Sequence, residues 1–268
     1  MALVDQLDWR DDHFLLGGFT FRLQHQAQEH TADDAFLFFK DRSQVEQFDR
    51  FLHETGFKPQ NVFELGIWDG GSAAFWTETL KLKKYSAIDI NTRGDSPYFK
   101  AWSEKRSKGR VSTHWTVDQT DRATLLSILK SDGLDPLDLV LDDCSHFYDQ
   151  TLASFEIVFP HVRVGGWYVI EDWQWALRPE FLAADHPWAT FKPLHPIVHQ
   201  LVDLHGSRPD IIPSIRVFPD FVAVERGPAN LGGAFNMAVL TNHRREAPLA
   251  TRVRRSVGSV KRSVLGPK

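Results

Sequence analysis

The sequence predicts an α/β protein with a doubly wound, mostly parallel seven-stranded sheet, an antiparallel edge strand and an N-terminal extension of one hairpin and one helix. Short apolar runs alternate with helical patterns from residue 61 onward, which is typical of a parallel sheet with helices on both faces. The last two runs, SIRVF and FVAVE, are separated only by Pro219 and Asp220, so we expect them to pair antiparallel at the edge. At 268 residues the chain is long enough for one large core.

The elements of the main sheet are apolar runs bounded by polar residues or glycines. In chain order the expected strands are NVFELG, YSAIDI, VSTHWTV, LDLVL, WYVIED, SIRVF and FVAVE. The helices expected among them are SAAFWTETL, the aromatic stretch YFKAW, RATLLSIL, QTLASFEIVF and PIVHQLVDLHG. In such a fold the carboxyl ends of the parallel strands lie at one edge of the sheet.

The N-terminal residues predict a cover for this sheet. HFLL and FTFRL flank Gly17 and Gly18, a pair that tolerates the positive φ angles of a two-residue hairpin turn. Ser43 and Glu46 have the spacing of a capping box, and the helix that they open is expected to end near Gly56. The hairpin and helix are also available for an interface between copies of the chain.

Charge is spread unevenly along the chain. The net charge is −4, but residues 241–268 carry eight Lys or Arg residues against one Glu, which leaves −11 on residues 1–240. An acidic body argues against nucleic acid as a partner. We therefore divide the chain into an extension over residues 1–58, a main domain over residues 59–240 and a basic, flexible tail over residues 241–268.

Composition predicts a cytoplasmic protein without a membrane span. No apolar stretch approaches the roughly 18 residues that a transmembrane helix needs. The opening MALVDQLDWRDD is acidic where a secretion signal would be basic and then apolar. Cys144 is the single cysteine, which excludes an internal disulfide.

Two acidic clusters follow two apolar runs: Asp142 and Asp143 come after LDLVL, and Glu171 and Asp172 come after WYVI. If these runs are neighbouring parallel strands, their acidic ends converge at one edge of the sheet. Clustered carboxylates favour a hard divalent cation, and His146, three residues past Asp143, is then available as a base. The alternative is that these acids cap the following helix and turn.

A glycine-rich turn, ELGIWDGGS, joins the first main strand to its helix. Gly66 and Gly70 allow close approach of a ligand to the backbone, and Ser72 lies where the helix N-terminus offers free amide groups. The spacing G-x-x-x-G-G differs from the G-x-G-x-x-G of dinucleotide sites, which disfavours a nicotinamide-dependent dehydrogenase. Glu64, before the turn, suits a cationic ligand such as the ammonium of an amino acid.

The next two strands also end in polar residues. Asp89 is placed to accept hydrogen bonds from a ribose diol. Asp118 and Gln119 are placed to contact an adenine edge. Each residue alone is weak evidence, since acids often cap strand ends, but their order at successive strands favours a nucleoside ligand.

The motifs ELGIWDGGS, AIDIN, VDQTD, LVLDDCSH and GGWYVIED resemble those of class I S-adenosylmethionine-dependent methyltransferases, over residues 61–226. More narrowly, the last two resemble the metal-dependent macrolide-sugar O-methyltransferases and the related cephalosporin hydroxylase and rhamnosyl O-methyltransferase group. The resemblance implies S-adenosylmethionine at one set of residues: Glu64, Gly66, Gly70, Ser72, Asp89, Asp118 and Gln119, with Asp142 on the cofactor side. It implies Mg²⁺ or Mn²⁺ at Asp143, Glu171 and Asp172, with His146 as general base.

Cys144 departs from the motif of this group, in which a glycine is expected. If that glycine serves a positive φ angle, cysteine strains the turn. The loop from Trp173 to Pro193 is rich in aromatic residues and begins directly after the second acidic cluster. It is expected either to close over the site as a lid or to cover the core.

The function expected from these features is Mg²⁺-dependent O-methylation of a hydroxyl group on a small natural product or sugar. Two alternatives stay open. One is a metal-independent methyltransferase in which the acids are structural, and the other is a non-catalytic partner protein that retains the fold.

Overall fold

The computed structural model describes residues 3–23, 34–232 and 235–241. The chain forms two compact units, residues 1–235 and residues 236–268. Within the second unit the described element is a short helix, Met237–Thr241. The predicted basic tail lies almost entirely outside the described residues, so its boundary stays a prediction. None of the helices described is both long and apolar enough to cross a lipid bilayer.

The N-terminal extension forms a small four-stranded sheet in the order β1-β2-β3-β4. Its strands are β1 Asp8–Trp9, β2 His13–Leu16, β3 Phe19–Leu23 and β4 Phe36–Phe38. The predicted hairpin is confirmed as the antiparallel pair β2 and β3, with Gly17 and Gly18 at positive φ angles of 61° and 85° in its turn. Strands β1 and β4 were not predicted, and β4 pairs parallel to β3.

Helix α1 spans Arg42–Thr55 and follows the small sheet. The prediction that Ser43 caps this helix is wrong. Asp41 is the N-cap, because its side chain accepts a hydrogen bond of 2.8 Å from the amide of Gln44. The predicted end is confirmed, since Gly56 closes the helix with a φ angle of 63°.

The main sheet contains seven strands in the spatial order β10-β11-β9-β8-β5-β6-β7. They are β5 Asn61–Leu65, β6 Lys84–Asp89, β7 Val111–Trp115, β8 Leu137–Asp142, β9 Val162–Glu171, β10 Ile215–Val217 and β11 Phe221–Glu225. Strands β5 to β9 run parallel, β11 runs antiparallel to β9, and β10 pairs antiparallel with β11. The predicted fold class and its antiparallel edge are therefore confirmed.

Five helices connect these strands: α2 Gly71–Thr79, α3 Pro97–Trp102, α4 Arg122–Ser131, α5 Tyr148–Val158 and α6 His195–Ser207. All five match helical segments expected from the sequence. One boundary near the site differs from the expected strand VSTHWTV, because β7 ends at Trp115, two residues earlier, and Thr116 follows with a positive φ angle of 64°. Asp118 and Gln119 therefore lie in a turn beyond the strand and not at its end.

An aromatic cluster joins the small sheet to helix α2. Phe14 on β2 is fully buried and stacks on Phe21 with ring centres 4.8 Å apart. It also meets Phe38 edge-on at 5.1 Å and Phe75 of α2 at 6.0 Å. Such ring pairs add to the free energy gained from burial alone. The extension is thereby packed into the same core as the main sheet.

Replacing Phe14 with alanine should lower the free energy of unfolding by about 3–5 kcal/mol, because the change opens a cavity among four neighbouring rings. Urea denaturation followed by circular dichroism measures the effect. The control is Leu15→Ala on the same strand, whose side chain is 36% exposed and should cost about 1 kcal/mol or less. Equal losses for the two variants would show that the cluster does not hold the extension in place.

Candidate active site

The carboxyl ends of three central strands bring the predicted acidic residues together. Leu65 at the end of β5 is paired with Asp142 of β8, which in turn is paired with Ile170 of β9. The amide of Asp143 donates to the carbonyl of Leu65 at 2.9 Å, which fixes the loop after β8 against β5. The convergence expected of neighbouring parallel strands is therefore present.

Asp143, His146 and Asp172 form the centre of this edge, since each offers one ligand atom within 4.8 Å of the others. His146 Nε2 lies 3.8 Å from Asp143 Oδ1 and 4.0 Å from Asp172 Oδ2, too far for a hydrogen bond. Its Nδ1 atom is buried and has no hydrogen-bond partner within the described part of the chain. The group has the donor atoms and the spacing to hold a divalent cation or to exchange a proton.

Glu171, the third predicted metal ligand, is fully buried beside this group. Its Oε2 atom accepts from Gln44 Nε2 at 2.9 Å and lies 2.9 Å from Lys40 Nζ. Its Oε1 atom has no hydrogen-bond partner among the residues described. Burial, followed by the charge of Asp143, raises the pKa of Glu171, and Lys40 opposes both effects. One oxygen of this carboxylate is therefore occupied and the other is free.

Lys40 is the site residue that the sequence analysis missed. Its side chain is 4% exposed, and Nζ lies 2.6 Å from Asp143 Oδ2 as well as 2.9 Å from Glu171 Oε2. Burial alone would lower its pKa, but the two carboxylates hold that pKa above its ordinary value, so the ammonium is charged. A signal was present, because Lys40 follows the apolar run FLFF just as Asp143 and Glu171 follow theirs.

Two site residues have the strained backbone that was expected at Cys144. His146 and Asp172 have positive φ angles of 58° and 51°, while Cys144 is outside the left-handed region. The condition under which cysteine would strain this turn, a positive φ angle at Cys144, is therefore not met. Hydrogen bonds hold both strained residues: Trp175 Nε1 donates to the carbonyl of His146 at 2.8 Å, and the amide of Asp172 donates to the carbonyl of Asp220 at 2.8 Å.

The glycines of the first turn permit close approach of the chain to itself. Gly66 has a φ angle of 104°, and a Cβ atom there would lie 2.2 Å from the carbonyl oxygen of Asp143. Gly70 has a φ angle of 91°, and a Cβ atom there would lie 2.1 Å from the ring of Phe99. Both positions therefore require glycine for packing, independently of any ligand.

Glu64 is fully buried below this turn on β5. Neither of its oxygens has a partner in hydrogen-bonding geometry among the described residues. Burial raises the pKa of Glu64 to about 7, although the Ser72 hydroxyl and the charge of Lys40 oppose the shift. Among the described residues the Glu64 oxygens thus have unused capacity to accept hydrogen bonds, and the contact of Glu64 with a cationic ligand stays a prediction.

Asp89 holds the glycine-rich turn in place. Its Oδ2 atom accepts from the amides of Ile67 at 3.0 Å and Trp68 at 2.8 Å. Its Oδ1 atom accepts from the backbone and side-chain nitrogens of Asn91, each at 2.8 Å. Both carboxylate oxygens of Asp89 therefore accept hydrogen bonds from the chain itself, and its contact with a ribose diol stays a prediction.

Gln119 and Asp142 belong to one buried network. Gln119 Oε1 accepts from the amide of Ser145 at 3.1 Å, and its Nε2 donates to Ser154 Oγ at 3.2 Å. Asp142 Oδ2 accepts from Ser154 Oγ at 2.8 Å and from the Tyr168 hydroxyl at 2.6 Å. The network fixes the loop that carries Asp143 and His146.

Asp118 differs from the buried residues Gln119 and Asp142 in its exposure to solvent. It is exposed, and its carboxylate accepts from the amide and the hydroxyl of Thr120 at 2.7 Å and 2.8 Å. It therefore caps its own turn. A contact from Asp118 to an adenine edge stays a prediction.

The aromatic loop after β9 packs over His146. Trp188 lies with its ring centre 6.3 Å from the imidazole and 5.2 Å from Trp175, which is itself 5% exposed. Phe191 stacks on Phe147, the residue after His146, at 4.0 Å. The loop therefore acts as cover for the site and, through Trp175, as a support for it.

Residues 63–173 match the family model described as a methyltransferase domain. This segment runs from β5 to the second acidic cluster and contains all the predicted site residues. Together with the fold, the match confirms the resemblance inferred from the motifs. Over residues 63–173 the chain is therefore similar to a methyltransferase domain.

The chain is also similar to proteins that are named as O-methyltransferases. The chain is 28% identical over 206 residues to demethylmacrocin O-methyltransferase of Streptomyces fradiae, covering 69% of this chain and 49% of that protein. It is 31% identical over 141 residues to mycinamicin VI 2''-O-methyltransferase of Micromonospora griseorubida, covering 50% and 32%. The solved MycE methyltransferase from the mycinamycin biosynthetic pathway, in complex with Mg, SAH and mycinamycin VI, aligns with a TM-score of 0.52 and 28% identity.

That structural alignment covers 74% of this chain and 52% of the MycE chain. The chain thus spans about half the length, or less, of the relatives that it matches.

The pH dependence of the free energy of unfolding should show the raised pKa of Glu64. Because its pKa is about 7 in the folded state against 4.5 ordinarily, the folded chain holds this proton more tightly than the unfolded chain. Its contribution to the free energy of unfolding is complete below about pH 4.5 and is lost as the pH rises to about 7. Across that window the wild type should lose about 3 kcal/mol relative to Glu64→Gln, which does not ionise.

Urea denaturation of both proteins at the two ends of the window measures this difference. Glu54→Gln, on the exposed face of α1, is the matched control and should follow the wild type at both pH values. A difference between Glu64→Gln and the wild type that stays constant with pH would contradict the expectation.

Proposed function

We propose that this protein is a Mg²⁺-dependent O-methyltransferase that moves the methyl group of S-adenosylmethionine to a hydroxyl of a small natural product or sugar. The observation that carries the proposal is the group Asp143, His146 and Asp172 at one sheet edge, beside a glycine-rich turn over a buried unpaired Glu64. The names of the relatives, which include sugar O-methyltransferases, support the choice of acceptor.

The residues present fit the cofactor. S-adenosylmethionine supplies an electrophilic methyl group. Its amino acid part carries an ammonium group, which would serve as the partner of Glu64. Gly66, Gly70 and Ser72 form the turn that would receive this part. The proposed nucleoside side comprises Asp89, Asp118, Gln119 and Asp142.

The residues present also fit a hard divalent cation. Asp143 Oδ1 and an oxygen of Asp172 lie close together, and Glu171 Oε1 is a buried acceptor without a partner among the described residues. We propose these three carboxylates as the residues that would hold Mg²⁺ or Mn²⁺. When bound, the cation would orient the acceptor hydroxyl and lower its pKa. The MycE structure with Mg and SAH supports this assignment.

His146 is proposed as the general base. Its Nε2 atom faces Asp143 and Asp172 without a hydrogen bond to either, so it is free to accept the proton of an acceptor hydroxyl. Trp175 fixes its backbone, and Trp188 covers the ring. The same geometry would let Nε2 act as a fourth metal ligand, and the variant described below separates the two roles.

Two other functions make different demands on these residues. In a metal-independent methyltransferase the acids would be structural, and removal of divalent cations would leave the rate unchanged. A non-catalytic partner protein would fail to turn over S-adenosylmethionine with any acceptor. A cytoplasmic location and assembly into a homo-oligomer stay predictions.

Chelation should abolish activity. Treatment with EDTA followed by gel filtration is expected to stop methyl transfer, because the acceptor hydroxyl loses its orientation and its acidity. Mg²⁺ or Mn²⁺ should restore the rate, which is followed by release of S-adenosylhomocysteine with a panel of sugar-bearing acceptors. Full activity after removal of the metal would favour the metal-independent alternative.

His146→Ala should lower kcat by about 10²- to 10⁴-fold, the usual contribution of a general base. Calorimetric titration should find the affinities for S-adenosylmethionine and for Mn²⁺ unchanged. A loss of Mn²⁺ affinity would instead make His146 a metal ligand. His53→Ala, on the exposed last turn of α1, is the control and should leave all three quantities unchanged.

A further inference from the structure

We propose that Lys40 is a resident cation of the metal site, which balances the charge of Asp143 and Glu171 and thereby weakens the binding of the divalent cation. This inference rests on the metal site of the proposed function. Lys40 lies outside the matched methyltransferase segment of residues 63–173 and follows β4 of the N-terminal sheet. It is a positioning residue, since its contacts are to the two carboxylates.

The contacts of Lys40 divide each carboxylate between two roles. Nζ bonds to Asp143 Oδ2 at 2.6 Å and lies 2.9 Å from Glu171 Oε2. The other oxygens, Asp143 Oδ1 and Glu171 Oε1, are not used by Lys40. The first of these is part of the group with His146 and Asp172. One side of each carboxylate thus faces the ammonium, and the other is left for a ligand.

Gln44 strengthens this arrangement from the first turn of α1. Its side-chain amide donates to the same Glu171 Oε2 atom that Lys40 contacts. Two donors on a single oxygen fix the rotation of the carboxylate. Glu171 is therefore oriented by the N-terminal segment of the chain.

The charge count explains why a lysine is useful at this position. When ionised, as metal ligands are, the carboxylates of Asp143, Glu171 and Asp172 carry −3, and the Lys40 ammonium reduces the total to −2. A divalent cation then brings the cluster to neutrality. With three carboxylates and no lysine, the cluster would stay negative after binding the cation, which opposes the formation of an alkoxide beside it.

The same charge has a cost for metal affinity. A fixed positive charge in contact with two of the ligand carboxylates repels the incoming cation, and this repulsion is strong because the lysine side chain is 4% exposed. Lys40→Met removes the repulsion and keeps the apolar stem. We expect Lys40→Met to bind Mn²⁺ at least about tenfold more tightly than the wild type.

Isothermal titration of metal-free full-length protein with MnCl₂ tests the proposal. The variants are Lys40→Met, Glu171→Gln, the double variant, and Lys81→Met. Lys81 is an exposed lysine just before β6, at the opposite end of the sheet, and its replacement should leave the affinity unchanged. The double variant has a cluster charge of −2, between −3 for Lys40→Met and −1 for Glu171→Gln, so its affinity should lie between the affinities of these two variants.

Lys40→Met leaves the buried Glu171 carboxylate and the partly buried Asp143 carboxylate without their counter-charge, so this variant could fail to fold. In that case the comparison is made between Glu171→Gln and the double variant, in which one of these carboxylates is already neutral. The double variant should bind Mn²⁺ at least about tenfold more tightly than Glu171→Gln. Circular dichroism establishes that each protein used is folded.

The outcomes separate this inference from the proposed function. Equal or weaker Mn²⁺ binding on removal of Lys40 overturns the role of Lys40, while binding by the wild type leaves the metal site standing. Binding by Lys40→Met but not by the wild type supports the role of Lys40 and removes metal dependence from the proposed function. Absence of Mn²⁺ binding in every variant overturns both.

Discussion

The site depends on a buried ionic contact, in which the ammonium of Lys40 lies between the carboxylates of Asp143 and Glu171. Isolated charges are strongly disfavoured in a protein interior, so these groups can be buried only together. The contact links the segment after β4 to the loop after β8 and to Glu171, the last residue of β9. It therefore determines both the charge of the site and the position of the extension over the sheet edge.

The main sheet could be predicted because its apolar runs alternate with helices along the chain, and few sheet topologies are compatible with that alternation. The hairpin of the extension could be predicted because Gly17 and Gly18 mark its turn. Strands β1 and β4 could not, since two and three residues show no periodicity. The cap of α1 was misassigned because Asp41 and Ser43 are both capping types, and spacing does not choose between them.

The position of the acidic cluster could be predicted from the topology of the sheet. Asp143, His146 and Asp172 meet because neighbouring parallel strands end at one edge, which follows from the order of elements. Lys40 is 103 residues from Asp143 in the chain, and its place after FLFF marks a strand end without identifying this partner. The sequence raised the question of a positive φ angle only at Cys144, whereas His146 and Asp172 have positive φ angles, because loop dihedrals follow from packing and hydrogen bonds. Those contacts come from Trp175 and the carbonyl of Asp220.

The position of Lys40 directly after β4 changes what the N-terminal extension is. The sequence suggests a boundary at residue 58. A cut there would separate Asp143 and Glu171 from the Lys40 ammonium, which balances part of their charge. A protein shortened to start at residue 59 would lose Lys40 and Gln44 together, and Phe75 of α2 would lose the rings that cover it. Exchange of N-terminal segments among such proteins is therefore constrained: a replacement segment must bring its own buried cation to the same point, or the acidic loops must change with it.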